Sequence, residues 1–128
     1  MSRDSSSLWS VTLTVAGPEC EVSEVRAALD RLLTERPFLS SVRYSSTRAE
    51  LRYWDEARDV DDAAAMALRL WPEHRSSARL PDWSVAGVEV VDRETVEHRV
   101  EARAGAAHRR PGARRARTLD LIGDIAPW

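Results

Sequence analysis

A chain of 128 residues, 43% of them hydrophobic, suits one domain with a modest core, and a formal net charge of −2 excludes a polypeptide that is basic throughout. Every basic residue other than histidine is arginine, and lysine, asparagine and glutamine are absent; this bias is expected of a high-GC bacterial genome and weakens any functional reading of arginine content. The single cysteine, Cys20, excludes an internal disulfide and a thiolate zinc cage; with no signal-like apolar core and no run near the roughly 20 apolar residues of a membrane span, a cytoplasmic protein without a membrane partner is expected.

Residues 1–7 read as a flexible N-terminus. Trp9, Val11, Leu13 and Val15 then alternate with Ser10, Thr12 and Thr14, the period of a half-buried strand, which Gly17 and Pro18 end. Val22, Val25, Leu29, Leu32 and Leu33 recur at helical spacing, with Ser23 as the expected N-cap and Pro37 as the stop. Val42 and Tyr44, then Leu51 and Tyr53, alternate on either side of Ser45-Ser46-Thr47-Arg48 and predict a hairpin. Asp59 is placed to cap a helix over residues 60–71, with Asp61 and Asp62 favoured at its positive end and Pro72 kinking or ending it. Leu80-Pro-Asp is a turn, and the valine-rich run from Trp83 to Val91 predicts a strand with a bulge at Gly87.

The resulting order, β-α-β-β-α-β over residues 8–95, resembles the ferredoxin-like superfold. The resemblance implies an α+β domain with a four-stranded antiparallel sheet and two helices on one face. It rests on element order, so it implies an architecture and no activity.

Residues 95–103 fit a helix or an added strand equally well. Residues 96–117 read as a basic low-complexity linker and residues 118–128 as an apolar C-terminal tail, expected to be disordered. Charge segregates along the chain: 12 Arg against 17 Asp and Glu through Thr95 gives −5, while 7 Arg against Glu97 and Glu101 over residues 96–117 gives +5. Opposite charges of that size attract one another as well as outside ions.

No phosphate loop, dinucleotide fingerprint or nucleophile elbow is present, because the five glycines are scattered and no serine has the required context. No catalytic residue, metal site or cofactor is therefore assigned. His98 with Glu94 and Glu101, and the run Asp55, Glu56, Asp59, Asp61 and Asp62, carry metal-compatible oxygens and nitrogen, but helix capping and surface ion pairs account for both. Alternation places Arg43, Arg52 and Trp54 on the open face of the sheet, where guanidinium groups beside an indole suit an anionic or aromatic ligand. Strand one would present Ser10 and Thr12 there, and Arg48-Ala-Glu-Leu-Arg-Tyr-Trp54 lacks the glycine and repeated aromatics of an RNA-recognition motif.

Arg109, Arg110, Arg114, Arg115 and Arg117 form an anion-binding linker, and Leu121, Ile125 and Trp128 at i, i+4 and i+7 form a docking tail. The leading expectation is a binding or regulatory module, a homodimer whose tail docks on a partner or neighbouring protomer. Two alternatives stand beside it: a small cofactor-free enzyme with a pocket between sheet and helices, using Tyr44, Tyr53, His74 or Arg52, and nucleic-acid binding through the arginine-rich linker.

Overall fold

The alternation near the start of the chain becomes β1 (Ser7–Ala16), in which Val11, Leu13 and Val15 are wholly buried and Ser10, Thr12 and Thr14 take the other face. A computed structural model describes residues 6–109 and 124–128. Helix α1 (Val22–Glu35) buries Val25, Ala28, Leu29 and Leu32. Ser23 does not cap it: the helix starts two residues earlier than that cap would place it, at Val22 behind Glu21, whose backbone carbonyl accepts the N–H groups of Glu24 and Val25.

The hairpin forms as β2 (Leu39–Tyr44) and β3 (Arg48–Ala57), closed by the Ser45 N–H donating to the Arg48 carbonyl at 2.8 Å. Helix α2 (Val60–His74) is capped by Asp59, whose side chain accepts the Asp62 N–H at 2.8 Å. Its core stripe is Ala63, Ala67, Leu70 and Trp71, and Pro72 sits in its last turn, so the backbone bond it cannot donate is lost near the end of the helix rather than in its middle. Beyond the helix the Leu80 N–H donates to the Arg75 carbonyl and Arg79 takes a left-handed φ of 52°.

β4 (Ser84–Asp92) returns beside β1, with a register shift opposite Thr14 and Val15 where Gly87 lies. The chain then enters α3 (Arg93–Arg109), which settles the ambiguity over residues 95–103 as helix. Asp92 caps it by accepting the Thr95 N–H at 2.8 Å, and the run is rich in the strong helix formers Glu, Arg and Ala. β5 (Asp124–Pro127) closes the chain.

The sheet is not the four-stranded antiparallel one that the element order led us to expect. It has five strands in the order β4-β1-β3-β2-β5, and it is mixed, because β5 runs parallel to β2 while the other neighbours are antiparallel. There are three helices among the described residues, not two. Nor are residues 124–127 a disordered tail, since they pair with Ser41, Val42, Arg43 and Tyr44, while residues 118–123 of the expected tail lie outside the described residues. The physical reason is that a strand of four residues shows no alternation to read, yet it satisfies backbone groups that β2 would otherwise leave open at an edge.

One face of the sheet carries the core: Val11, Leu13, Val15, Val42, Leu51 and Tyr53 pack with the apolar stripes of α1 and α2. On the opposite face, Arg99 of α3 reaches Glu89 of β4 at 3.4 Å, and Val96 and Val100 approach Trp54 of β3. α3 thus covers part of the face that the two-helix expectation left bare.

Candidate functional site

The edge of β2 is the first candidate. Ile125 stands opposite Val42 and is partly buried against the core, Ala126 stands opposite Arg43, and Pro127 stands opposite Tyr44. A proline is tolerated in such an outermost strand, where no further neighbour needs its missing N–H. The Trp128 N–H donates to the Tyr44 carbonyl at 2.7 Å, while its indole remains 50% exposed. Of the three tail residues predicted to dock, Ile125 is seated on the sheet and Trp128 is held by its backbone. Leu121 lies outside the described residues. Residues 124–127 are extended rather than helical, so Ile125 meets the domain from a strand.

The open face is the second candidate. Arg43, Arg52 and Trp54 do share it, all three exposed, and the register places Trp54 opposite Ser10, Arg52 between Thr12 and Ser41, and Arg43 opposite Glu50. Glu50 sits two residues from Arg52 on the same strand and directly across from Arg43, so a carboxylate lies between the two guanidinium groups. That arrangement offsets the positive potential an anionic ligand would need. Beside Trp54, α3 contributes Arg93, Val96, Glu97, Val100 and Glu101 to a shallow groove of about 340 Å³ with an apolar floor and a charged rim.

The residues considered for a cofactor-free enzyme do not converge. Tyr44 and Tyr53 are buried on the core side of the sheet, whereas Arg52 is exposed on the other side. Burial pushes the Tyr53 hydroxyl up to about 12, with the nearby Asp55 carboxylate adding to the shift and Arg36 opposing it, so the phenol keeps its proton. Burial likewise raises Asp55, with Asp62 and Glu56 adding to it and a backbone hydrogen bond and Arg36 opposing it.

His74 instead joins a cluster that sequence spacing did not reveal. Its Nδ1 lies 2.7 Å from Glu35 Oε1, and Ser77 Oγ donates to the same oxygen at 2.8 Å. A carboxylate can only accept, so the imidazole proton is on Nδ1. Both donors point at Glu35 and the hydroxyl does not meet the imidazole, so this is a tie between α1 and the end of α2, not a relay that activates a nucleophile. Glu35 and His74 are 39 residues apart, and only the packing of α1 beside α2 brings them together.

Two residues of the acidic run serve the backbone: Asp59 takes the Asp62 N–H and Asp62 Oδ2 takes the Arg58 N–H at 3.2 Å. Among the described residues no three His, Cys, Asp or Glu side chains gather as a metal would require. Arg109 ends α3, and Arg110, Arg114, Arg115 and Arg117 lie outside the described residues. No described helix is long and apolar enough to cross a membrane.

Comparison with curated proteins gave no match. A family model described as a domain of unknown function (DUF8830) matches residues 8–108, a span that begins in β1, takes in the first four strands and reaches the last turn of α3. The chain therefore belongs to the DUF8830 family.

Proposed function

We propose that the protein is a non-enzymatic binding module that works by strand addition at the edge of β2, with its own C-terminal tail as the resident strand and the matching tail of a neighbouring protomer, or a partner's extended segment, as the strand exchanged for it. The observation that carries this reading is the parallel pairing of residues 124–127 with Ser41 to Tyr44, in which Ile125 is, among the described side chains of the strand, the one set against the core. Main-chain hydrogen bonds supply affinity in such sites and alternate side chains supply selectivity.

The energetics favour exchange over permanence. A fully buried isoleucine is worth roughly 1.5–3 kcal/mol, and Ile125 is only partly buried, so the resident strand is held by little more than its backbone bonds. Exchange between two protomers would yield the homodimer expected from the sequence.

The test uses the full-length Ile125→Asp variant, whose own tail is disfavoured at the edge, and a fluorescent peptide of residues 123–128. Saturable anisotropy change with the variant, weaker with the unaltered protein because its own tail competes, is the expected result. No binding to the variant would remove the basis for the reading.

A further inference from the structure

One contact fixes which backbone groups of the tail meet β2. The Trp128 N–H donates to the Tyr44 carbonyl at 2.7 Å, and Tyr44 stands opposite Pro127. In a parallel ladder a residue bonds to the two neighbours of the one it faces. Tyr44 and Val42 therefore turn their backbone groups toward the tail, and the tail meets them with residues 124, 126 and 128. The hairpin agrees. The Ser45 N–H bonds to the Arg48 carbonyl, so Ser45 and Arg43 point their backbone groups at β3, and the alternate residues Tyr44 and Val42 point theirs at the edge.

Ile125 and Pro127 have the other parity, and their backbone groups point away from β2. Ile125 contributes its side chain instead, partly buried against the core opposite Val42. Pro127 has no N–H to give, and at this place the ladder asks for none. Position 126 differs. Its N–H falls to the Val42 carbonyl, and a proline there would leave that carbonyl without its donor and set a ring against β2.

Register follows from the same parity. A slip of one residue would turn Ile125 away from the core and bring Pro127 onto the bonding positions, so the side-chain error and the backbone error arise together. Proline also biases the residue before it toward an extended backbone, which suits Ala126 in a strand. In the order Ile125-Ala126-Pro127-Trp128, the apolar contact and the proline share one parity and the two bonding amides share the other.

We infer that the β2 edge selects its strand by amide parity. It takes an extended protein segment in which an apolar residue faces Val42, the first and third residues after that one keep their N–H groups, and the second is free to be proline; Pro127 is the residue that sets the register. This inference rests on the strand-addition reading and names the class of segment that the edge accepts.

The experiment compares three peptides of residues 123–128 on the full-length Ile125→Asp protein by fluorescence anisotropy. One has the native order, one carries Ala126→Pro with Pro127→Ala and so has the same composition, and one carries Pro127→Ala alone. The native and alanine peptides should agree within about fivefold, the span of a compatible proline's effect on chain freedom. The exchanged order should bind at least about tenfold more weakly, because it leaves the Val42 carbonyl unpaired. Equal binding of the two proline-containing peptides would overturn the inference and leave strand addition standing. An alanine peptide as weak as the exchanged one would also overturn it, by placing the effect in the proline ring.

A measurement within the chain separates the two readings. Should no peptide bind, strand addition fails, and the parity is read from hydrogen exchange of the Trp128 amide in full-length protein. That amide should stay protected in Pro127→Ala and lose its protection in the Ala126→Pro, Pro127→Ala double variant. Equal protection in both would overturn the parity.

Discussion

Glu35 on α1 and His74 at the end of α2 lie 2.7 Å apart, Oε1 to Nδ1, and Ser77 shares the same carboxylate oxygen. The Ser77 hydroxyl and then the His74 ring hold the Glu35 carboxyl below its ordinary range. A carboxylate whose folded pKa is depressed contributes stability above its unfolded value, near 4.5, and that contribution is lost as the pH falls through the folded value. Thermal melts of the wild type are therefore expected to lose stability below pH 4.5 more steeply than those of Glu35→Gln. Ser77→Ala should fall between them, since it removes the largest cause. Superimposable acid limbs for the three proteins would show that the cluster contributes nothing.

Gly17 follows β1 and is backed by the Trp83 ring, with a Cβ at this position overlapping Trp83 Cδ1. Trp83 cannot yield easily: its Nε1 donates to the Pro18 carbonyl at 2.9 Å and its ring stacks on Trp71, with centroids 6.2 Å apart and planes within 5°. Gly17→Ala should therefore cost about 1–3 kcal/mol in urea unfolding, the usual range for overpacking. Gly87 has no atom within 4 Å of a built Cβ, so Gly87→Ala is the control without that clash. Equal midpoints for the two variants would refute the role given to Trp83.

Arg79 takes φ 52° at the turn after α2, a conformation in which an L side chain crowds its own backbone. The backbone carbonyls of Ala78 and Arg79 accept from Arg31 at 2.7 and 3.2 Å, contacts that a glycine at position 79 retains. Relief of strain outweighs the added freedom of the unfolded chain, so Arg79→Gly should raise stability by roughly 0.5–1 kcal/mol. Chemical denaturation measures this directly, and a lower midpoint would mean that the Arg79 side chain itself holds the turn.

The sequence by itself determined the elements whose apolar residues recur with a period. Val11, Leu13 and Val15 specify a strand buried on one face, and Val25, Leu29 and Leu32 specify the buried stripe of a helix, because alternation and the helical repeat are properties of neighbouring residues. Asp59 as a cap and Gly87 beside an irregularity in β4 were legible for the same local reason. The sharing of one face by Arg43, Arg52 and Trp54 also followed from alternation.

Tertiary structure decided what local patterns do not encode. α3 has only Val96 and Val100 as apolar side chains larger than alanine, so periodicity could not distinguish helix from strand; capping by Asp92 and packing near Trp54 made the choice. β5 is four residues whose partner is some 80 positions earlier in the chain, and its identity as a strand exists only in the hydrogen bonds it makes to β2. The meeting of Glu35, His74 and Ser77 depends in the same way on two helices lying side by side. Residue order carries the period of an element, whereas an edge that needs a neighbour, or a carboxylate that needs two donors, becomes visible only when distant segments are brought into contact.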